Sequence, residues 1–265
     1  MPVSLEQDWT ARGFKEGDLV DFDLAAVKQQ PGALTPTLVV RPTLSQSVEQ
    51  VGTTRDRLAV VMLDNVKAQV LSYARKDGAW TASRLDLPKD STITIASTAD
   101  HDNRLILNVT SFLTPSSQWL ADASGGAPVK LRALPDRFDA SKFITEQHWA
   151  TSKDGTKVPY FVVRAKGLKL DGSNPTLLNA YGGFQISMSP AYSGAIGKLW
   201  LEKGGVFVVA NLRGGGEFGP RWHNAGLKLN RMRVYDDFFA VSEDLIARKI
   251  TNPKMLGDWL IRNPP

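Results

Sequence analysis

The sequence has no cysteine. That excludes disulfide frameworks, zinc–thiolate sites and cysteine nucleophiles. Histidine is scarce: His101, His148 and His223 are the only three, so any imidazole chemistry in this chain uses one of them. No run approaches the ~18 consecutive apolar residues that a membrane-crossing helix needs. The opening Met1-Pro2-Val3-Ser4-Leu5-Glu6-Gln7-Asp8 has neither the basic region nor the apolar core of a secretory leader. Low complexity is missing as well. With 42% hydrophobic and 22% charged residues among 265, the composition is that of a folded chain holding one large domain or two ordinary ones.

Charge is present but unevenly placed. Residues 1–150 carry 16 Lys/Arg against 18 Asp/Glu, and residues 151–265 carry 16 against 9, for a net +5. A basic half suits nucleic acid. Here the cations are scattered singly, with no run of four, which is the pattern of a solvated surface. Neither a nucleic-acid nor a membrane partner is expected.

Residues 1–135 consist of short apolar runs cut by turn residues. Leu58-Ala59-Val60-Val61-Met62-Leu63 is one; Val70 to Ala74 follows, then a Lys76-Asp77-Gly78 turn and Trp80 onward. Thr92 to Ala96, Arg104 to Val109 and Ser117 to Ala121 continue the series, with a turn at Gly125-Gly126. No helical stretch interrupts them, and alternation marks them as strands. The runs recur: Arg57-Leu58 and Arg104-Leu105 start comparable strands 47 residues apart, and Tyr73 and Trp119 sit 46 apart in the next strand of each unit. About four strands per unit at that period is the signature of propeller blades. About three units fit, whereas a closed propeller needs at least about four, so the sequence predicts an incomplete propeller.

Near residue 150 the period changes. Thr151 to Lys157 reads as a hairpin turn, Val158 to Val163 as a strand, and Thr176-Leu177-Leu178-Asn179-Ala180 as a buried strand closed by Tyr181-Gly182-Gly183-Phe184. Ala195 to Lys203 has helical spacing. Gly205 to Leu212 is the most hydrophobic strand and runs into Arg213-Gly214-Gly215-Gly216-Glu217-Phe218-Gly219. A helix is expected from about Val234 to Lys249, with Phe238, Val241, Leu245 and Ile246 on one face. Alternating strands and helices imply a mostly parallel α/β sheet. Ligands in such sheets bind beyond the carboxyl ends of strands, where both glycine-rich loops fall.

Two chemical readings of those loops compete. Gly214 to Gly219 satisfies the G-x-G-x-x-G of dinucleotide binders, with Asp236 about 20 residues on. Against it, the helix that should open inside the motif is displaced by Pro220 and a polar stretch, and Asp236 falls at the start of a helix, where a carboxylate suits the dipole. The other reading is acyl transfer. A Tyr181 hydroxyl at a strand end can donate to a developing oxyanion, and Phe184 can line a pocket for a flat apolar group. On spacing alone the reading of both residues as core aromatics is the stronger of the two.

Family resemblance then enters. Residues 143–255 resemble the prolyl oligopeptidase family of serine peptidases. The matching stretches are Ser152-Lys153-Asp154-Gly155-Thr156-Lys157-Val158-Pro159, Leu170 to Pro175, Ala180 to Phe184, Ala210-Asn211-Leu212 with Arg213 to Gly219, Trp222-His223-Asn224-Ala225-Gly226, Asp236-Asp237-Phe238 and Thr251-Asn252-Pro253-Lys254. Asn108 to Thr114 is similar to the family's last propeller segment.

The resemblance implies about three blades of a seven-bladed β-propeller over residues 1–142, then part of an α/β-hydrolase domain over 143–265. It implies cleavage of short proline-containing peptides on the carboxyl side of proline, by a monomer that needs no cofactor and no metal. Tyr181 matches the family's oxyanion-hole tyrosine and Phe184 a phenylalanine of the proline pocket. The Arg213–Gly219 loop matches a motif for which only a structural role is expected. His223 matches a position outside the catalytic triad, and His148 lies at the domain junction.

The family's nucleophile sits in a Gly-x-Ser-x-Gly elbow beyond Pro253-Lys254, with its acid and histidine further on. Here Met255 to Pro265 contains no serine. The chain is therefore expected to be inactive alone. An abrupt end to the resemblance near Leu256 suggests that Gly257 to Pro265 is out-of-frame translation, in which Trp259 and Pro264-Pro265 have no place in a strand. The rival reading is a non-catalytic binding module that uses its propeller strands.

Overall fold

The alternating runs of the first half fold as antiparallel sheets in the computed structural model, which describes residues 1–260. β1 (Pro2–Ser4), β2 (Leu19–Asp21) and β3 (Thr37–Val40) form a three-stranded sheet, with a short helix α1 (Leu24–Gln29) between the second and third. Asp23 caps α1, accepting from the Ala25 and Ala26 N–H groups. Two four-stranded meanders follow. One is β4 (Gln46–Thr53), β5 (Arg57–Asp64), β6 (Lys67–Lys76) and β7 (Ala79–Arg84); the other is β8 (Thr92–Thr98), β9 (Arg104–Thr110), β10 (Ser117–Asp122) and β11 (Val129–Ala133).

The 46- to 47-residue period is the blade repeat. Its two markers fall in the second strands, β5 and β9, and the third strands, β6 and β10. The Asp77-Gly78 turn joins β6 to β7 with both residues at positive φ, as a two-residue hairpin turn requires. Leu105, Leu107 and Val109 alternate inward along β9 and meet Ala59, Val61, Leu63 and Val70 in one core. β5 is buried on both faces, because Leu58 and Val60 pack the other way, on Leu19, Val39 and Tyr73. That explains its unbroken apolar run. The first strands of the two blades are joined by a side chain: Gln50 Nε2 donates to the Ile95 carbonyl (3.0 Å), and the Ile95 N–H donates to Gln50 Oε1 (2.8 Å).

The second compact unit gathers residues 110–116, 133–217 and the chain from Trp222 onward. Its sheet has the order β12 (Phe143–Thr151), β13 (Lys157–Ala165), β15 (Val206–Ala210), β14 (Thr176–Ala180), β16 (Leu256–Leu260). The expected mostly parallel sheet is in fact mixed. β12 and β13 are antiparallel, and so are β13 and β15; only β15, β14 and β16 run parallel. The cause is local: the short turn at Asp154-Gly155 can join only antiparallel strands.

Helix α2 (Pro220–Asn224) begins directly after the second glycine loop, where the sequence suggests a polar stretch without a helix. Helix α3 (Met232–Ala247) presents Val234, Phe238, Val241 and Leu245 at steps of four, three and four, one helical face. They pack on Tyr160, Val162, Leu178, Val208 and Ala210 of the sheet. Ala195 to Lys203 forms a π-helical turn (Ile196–Trp200) and then a 3-10 turn (Leu201–Lys203).

The expectation that Trp259 has no role in a strand is also corrected. Leu256 to Leu260 pairs in parallel with Thr176 to Ala180, in register throughout. A ladder needs only backbone N–H and C=O groups, which Leu-Gly-Asp-Trp-Leu supplies. Trp259 therefore has a place in a strand; Pro264-Pro265 lies outside the described residues.

Candidate functional site

β14 and β15 are parallel neighbours that end in register, Ala180 opposite Ala210. The loops that leave them therefore emerge side by side at the carboxyl end of the sheet. Tyr181 is the first residue of one loop and is half-buried. Phe184 is 68% exposed, so the core-aromatic alternative does not describe it. The two rings stack with centroids 6.5 Å apart and planes 22° apart.

The second loop is locked into the first. Gln185 N–H donates to the Gly214 carbonyl (3.1 Å), and Arg231 Nη1 donates to the Gly182 carbonyl (2.7 Å). Gly214 has φ +91°, and a Cβ there would lie 2.5 Å from the Gly182 oxygen. Only glycine permits that backbone angle and that approach together. His223 Nδ1 lies 2.6 Å from the same Gly214 oxygen and 3.1 Å from the Gln185 backbone nitrogen. His223 thus braces the loop.

Beneath the loops lies a buried ion-pair network. Arg213 is 3% exposed and Asp237 is fully buried. Arg213 Nε donates to both Asp237 oxygens (3.1 and 2.9 Å) and Nη2 to Oδ1 (2.5 Å). The Arg213 N–H also reaches Asp237 Oδ2 (3.1 Å). On its other side the guanidinium donates to Asp154 (2.5 Å), Thr156 Oγ1 (3.1 Å) and Ser152 Oγ (3.1 Å). Burial alone would lower the Arg213 pKa; its hydrogen bonds to Asp237 and Asp154 outweigh it and keep the group firmly charged. The Arg213 hydrogen bond in turn holds the Asp154 carboxyl well below the usual carboxylate range.

Comparison with known proteins decides what this arrangement belongs to. Residues 9–133 match the model of the prolyl oligopeptidase N-terminal beta-propeller domain, and residues 191–259 match that of the prolyl oligopeptidase family. The peptidase y4nA of Sinorhizobium fredii is 50% identical over 256 residues, 96% of this chain and 35% of the relative.

The chain belongs to the prolyl oligopeptidase family.

A prolyl endopeptidase of Elizabethkingia meningoseptica is 40% identical over 153 residues, 58% of this chain and 22% of its own length. The structure of a post-proline cleaving enzyme from Rickettsia typhi matches with a TM-score of 0.86 at 36% identity, over 96% of this chain and 37% of that one. The chain thus spans about a third of the length of the Sinorhizobium relative and of the Rickettsia typhi enzyme.

The geometry also disposes of the dinucleotide reading. A helix does start at Pro220, but the faces of Gly215 and Gly216 that would meet a pyrophosphate are filled by the chain itself. A Cβ on Gly215 would lie 3.0 Å from the Ile186 carbonyl oxygen, and one on Gly216 would lie 2.8 Å from Ser187 Oγ. Asp236 sits on α3, as expected.

His148 lies on β12 away from these loops, its Nε2 3.9 Å from Glu146 Oε2 and its ring 5.6 Å from that of Tyr160. Burial, with help from Arg248, lowers its pKa.

In the sequence, Ser152 to Lys157, Arg213 and Asp237 fall in three separate family stretches, and nothing local signals that they meet. Asn211 and Glu217, which prove to hold the first loop, carry no functional signal there either.

Proposed function

We propose that this chain is the part of a serine peptidase that binds short peptides and supplies one oxyanion donor for cleavage on the carboxyl side of proline. One observation carries the reading: Tyr181 and Phe184 stand together at the carboxyl end of β14, one half-buried with a hydroxyl, the other an exposed flat ring. A proline ring stacking on Phe184 would place its carbonyl near Tyr181. As a nucleophile attacks that carbonyl, negative charge grows on its oxygen, and the Tyr181 O–H donates to it. In this reading the stretch supplies the oxyanion donor and part of the proline pocket of the catalytic site.

In this reading residues 1–142 are propeller and residues 143–265 belong to the hydrolase domain. The partners are short proline-containing peptides met by a monomer, with no nucleic acid, no membrane and no cofactor.

The test uses a hybrid in which this chain replaces the stretch it matches in the Sinorhizobium relative. Tyr181→Phe there removes one oxyanion donor and little packing. The expected loss is about 10²–10³ in kcat, roughly 3 kcal/mol, with KM little moved because the donor acts mainly on the transition state. An unchanged kcat returns Tyr181 to a packing role.

A further inference from the structure

Two consecutive non-glycine residues, Phe184 and Gln185, have φ of +51° and +56°. Left-handed backbone is disfavoured for such residues and persists only where surrounding contacts over-determine it. Here the contacts come from the neighbouring loop. Met188, three residues past Gln185, is gripped at both backbone groups. Its N–H donates to Glu217 Oε1 (2.9 Å), and its carbonyl accepts from Asn211 Nδ2 (2.8 Å). Asn211 Nδ2 also donates to Glu217 Oε1 (3.1 Å), tying the two grips together. Upstream, Arg231 holds the Gly182 carbonyl. Between the holds, Gln185 N–H reaches Gly214 O and Ile186 N–H reaches Gly183 O, both at 3.1 Å. The chain from Gly182 to Met188 is thus fixed at both ends and must turn sharply in between.

Asn211 and Glu217 are both buried. Burying an amide and a carboxylate is costly unless hydrogen bonds compensate, and the bonds made by Asn211 Nδ2 and Glu217 Oε1 converge on Met188. Away from water those bonds are also stronger.

We propose that Asn211 and Glu217 are positioning residues: they latch Met188 and so hold the Phe184–Gln185 turn in its left-handed form, with the Phe184 ring beside Tyr181. As a determinant of proline selectivity the latch rests on Phe184 lining the proline pocket, as proposed for this site; as a brake on the turn it does not. It acts through Phe184, so in the enzyme it governs KM for proline substrates more than kcat.

A latch that exists to hold strain becomes dispensable when the strain is removed, and amide hydrogen exchange on the full chain tests that. In Glu217→Ala, exchange at residues 185 and 186 speeds up about tenfold, the size of one residue's left-handed penalty. The β15 amides stay unchanged. Gln185→Gly adopts positive φ freely, so in the Glu217→Ala background it returns these two amides toward wild-type rates. Glu217→Gln keeps a carbonyl oxygen for Met188 and stays near wild type. Unchanged exchange in Glu217→Ala, or no rescue by Gln185→Gly, overturns the latch.

Should Glu217→Ala not fold, Gln185→Gly alone decides: slower exchange at Ile186 supports the latch, and equal or faster exchange overturns it. The substrate role is measured separately, from the shift of Phe184 ring resonances on adding N-acetyl-glycyl-prolinamide to the wild-type chain. No shift removes the selectivity role and leaves the brake to stand or fall on the exchange data.

Discussion

Removing the Asp237 carboxylate tests whether the glycine loops rest on the buried ion pair. In Asp237→Ala, Arg213 loses a forked contact and its backbone N–H loses an acceptor. The guanidinium remains 3% exposed, a charge with half its partners gone. Breaking one side of a buried pair costs about 3–5 kcal/mol. Asp154 stays, but its side chain is 41% exposed, and a pair at that exposure returns only about 0–1 kcal/mol. The net expectation is a loss of roughly 3 kcal/mol.

A melting curve is the wrong assay, because a chain with two compact units need not unfold in one step. Exchange of the β15 amides reports the second unit directly, and the predicted loss speeds it by about two orders of magnitude. The double variant Arg213→Met with Asp237→Ala removes both charges and should recover part of the loss, as apolar replacement of buried pairs commonly does. A change in the single variant of less than about fivefold, near 1 kcal/mol, would refute the reasoning. So would a double variant worse than the single.

Two further predictions follow from the same geometry. Gly214→Ala combines a φ of +91° with a Cβ 2.5 Å from the Gly182 oxygen, whereas Gly204→Ala has a φ of +89° and nothing within 4 Å. Both should lose about 1–2 kcal/mol for the left-handed angle. Only Gly214→Ala should lose clearly more, read again from β15 exchange; equal losses would mean the close approach carries no cost. The lowered His148 pKa means the unfolded chain binds the proton first. This contribution to stability is then full above the ordinary histidine pKa, about 6.5, and is lost as pH falls through that value towards the folded pKa. His148→Gln should flatten that acid-side slope, and an unchanged slope would place its origin elsewhere.

Much of this fold is legible in the sequence because strands with one buried face alternate. Leu105, Leu107 and Val109 announce β9 without any tertiary knowledge. The blade period is legible for the same reason, since equivalent strands reuse equivalent buried positions. Strand direction is not: Thr151 to Lys157 reads as a hairpin, yet its consequence for β12 and β13 disappears when only the alternation of strands and helices is counted.

At the site, Tyr181 and Phe184 are candidates through family resemblance, while their conformation is not legible in the sequence. Positive φ is usually announced by Gly or Asn, and here Phe184 and Gln185 adopt it under tertiary constraint. The Arg213 network is illegible for a similar reason. Its partners lie 24 and 59 positions away from it, and no short-range spacing encodes a contact made by folding a sheet against a helix.

The central claim is that Tyr181 and Phe184 belong to a site for cleavage after proline. The most direct measurement digests one peptide carrying a single proline and a single alanine in matched sequence contexts with the hybrid enzyme, and identifies the products by mass spectrometry. The account predicts cleavage on the carboxyl side of proline, with a sharp fall in kcat/KM at that bond in Phe184→Ala. Equal cleavage after alanine and proline, or a Phe184→Ala hybrid that keeps its full proline preference, would contradict it.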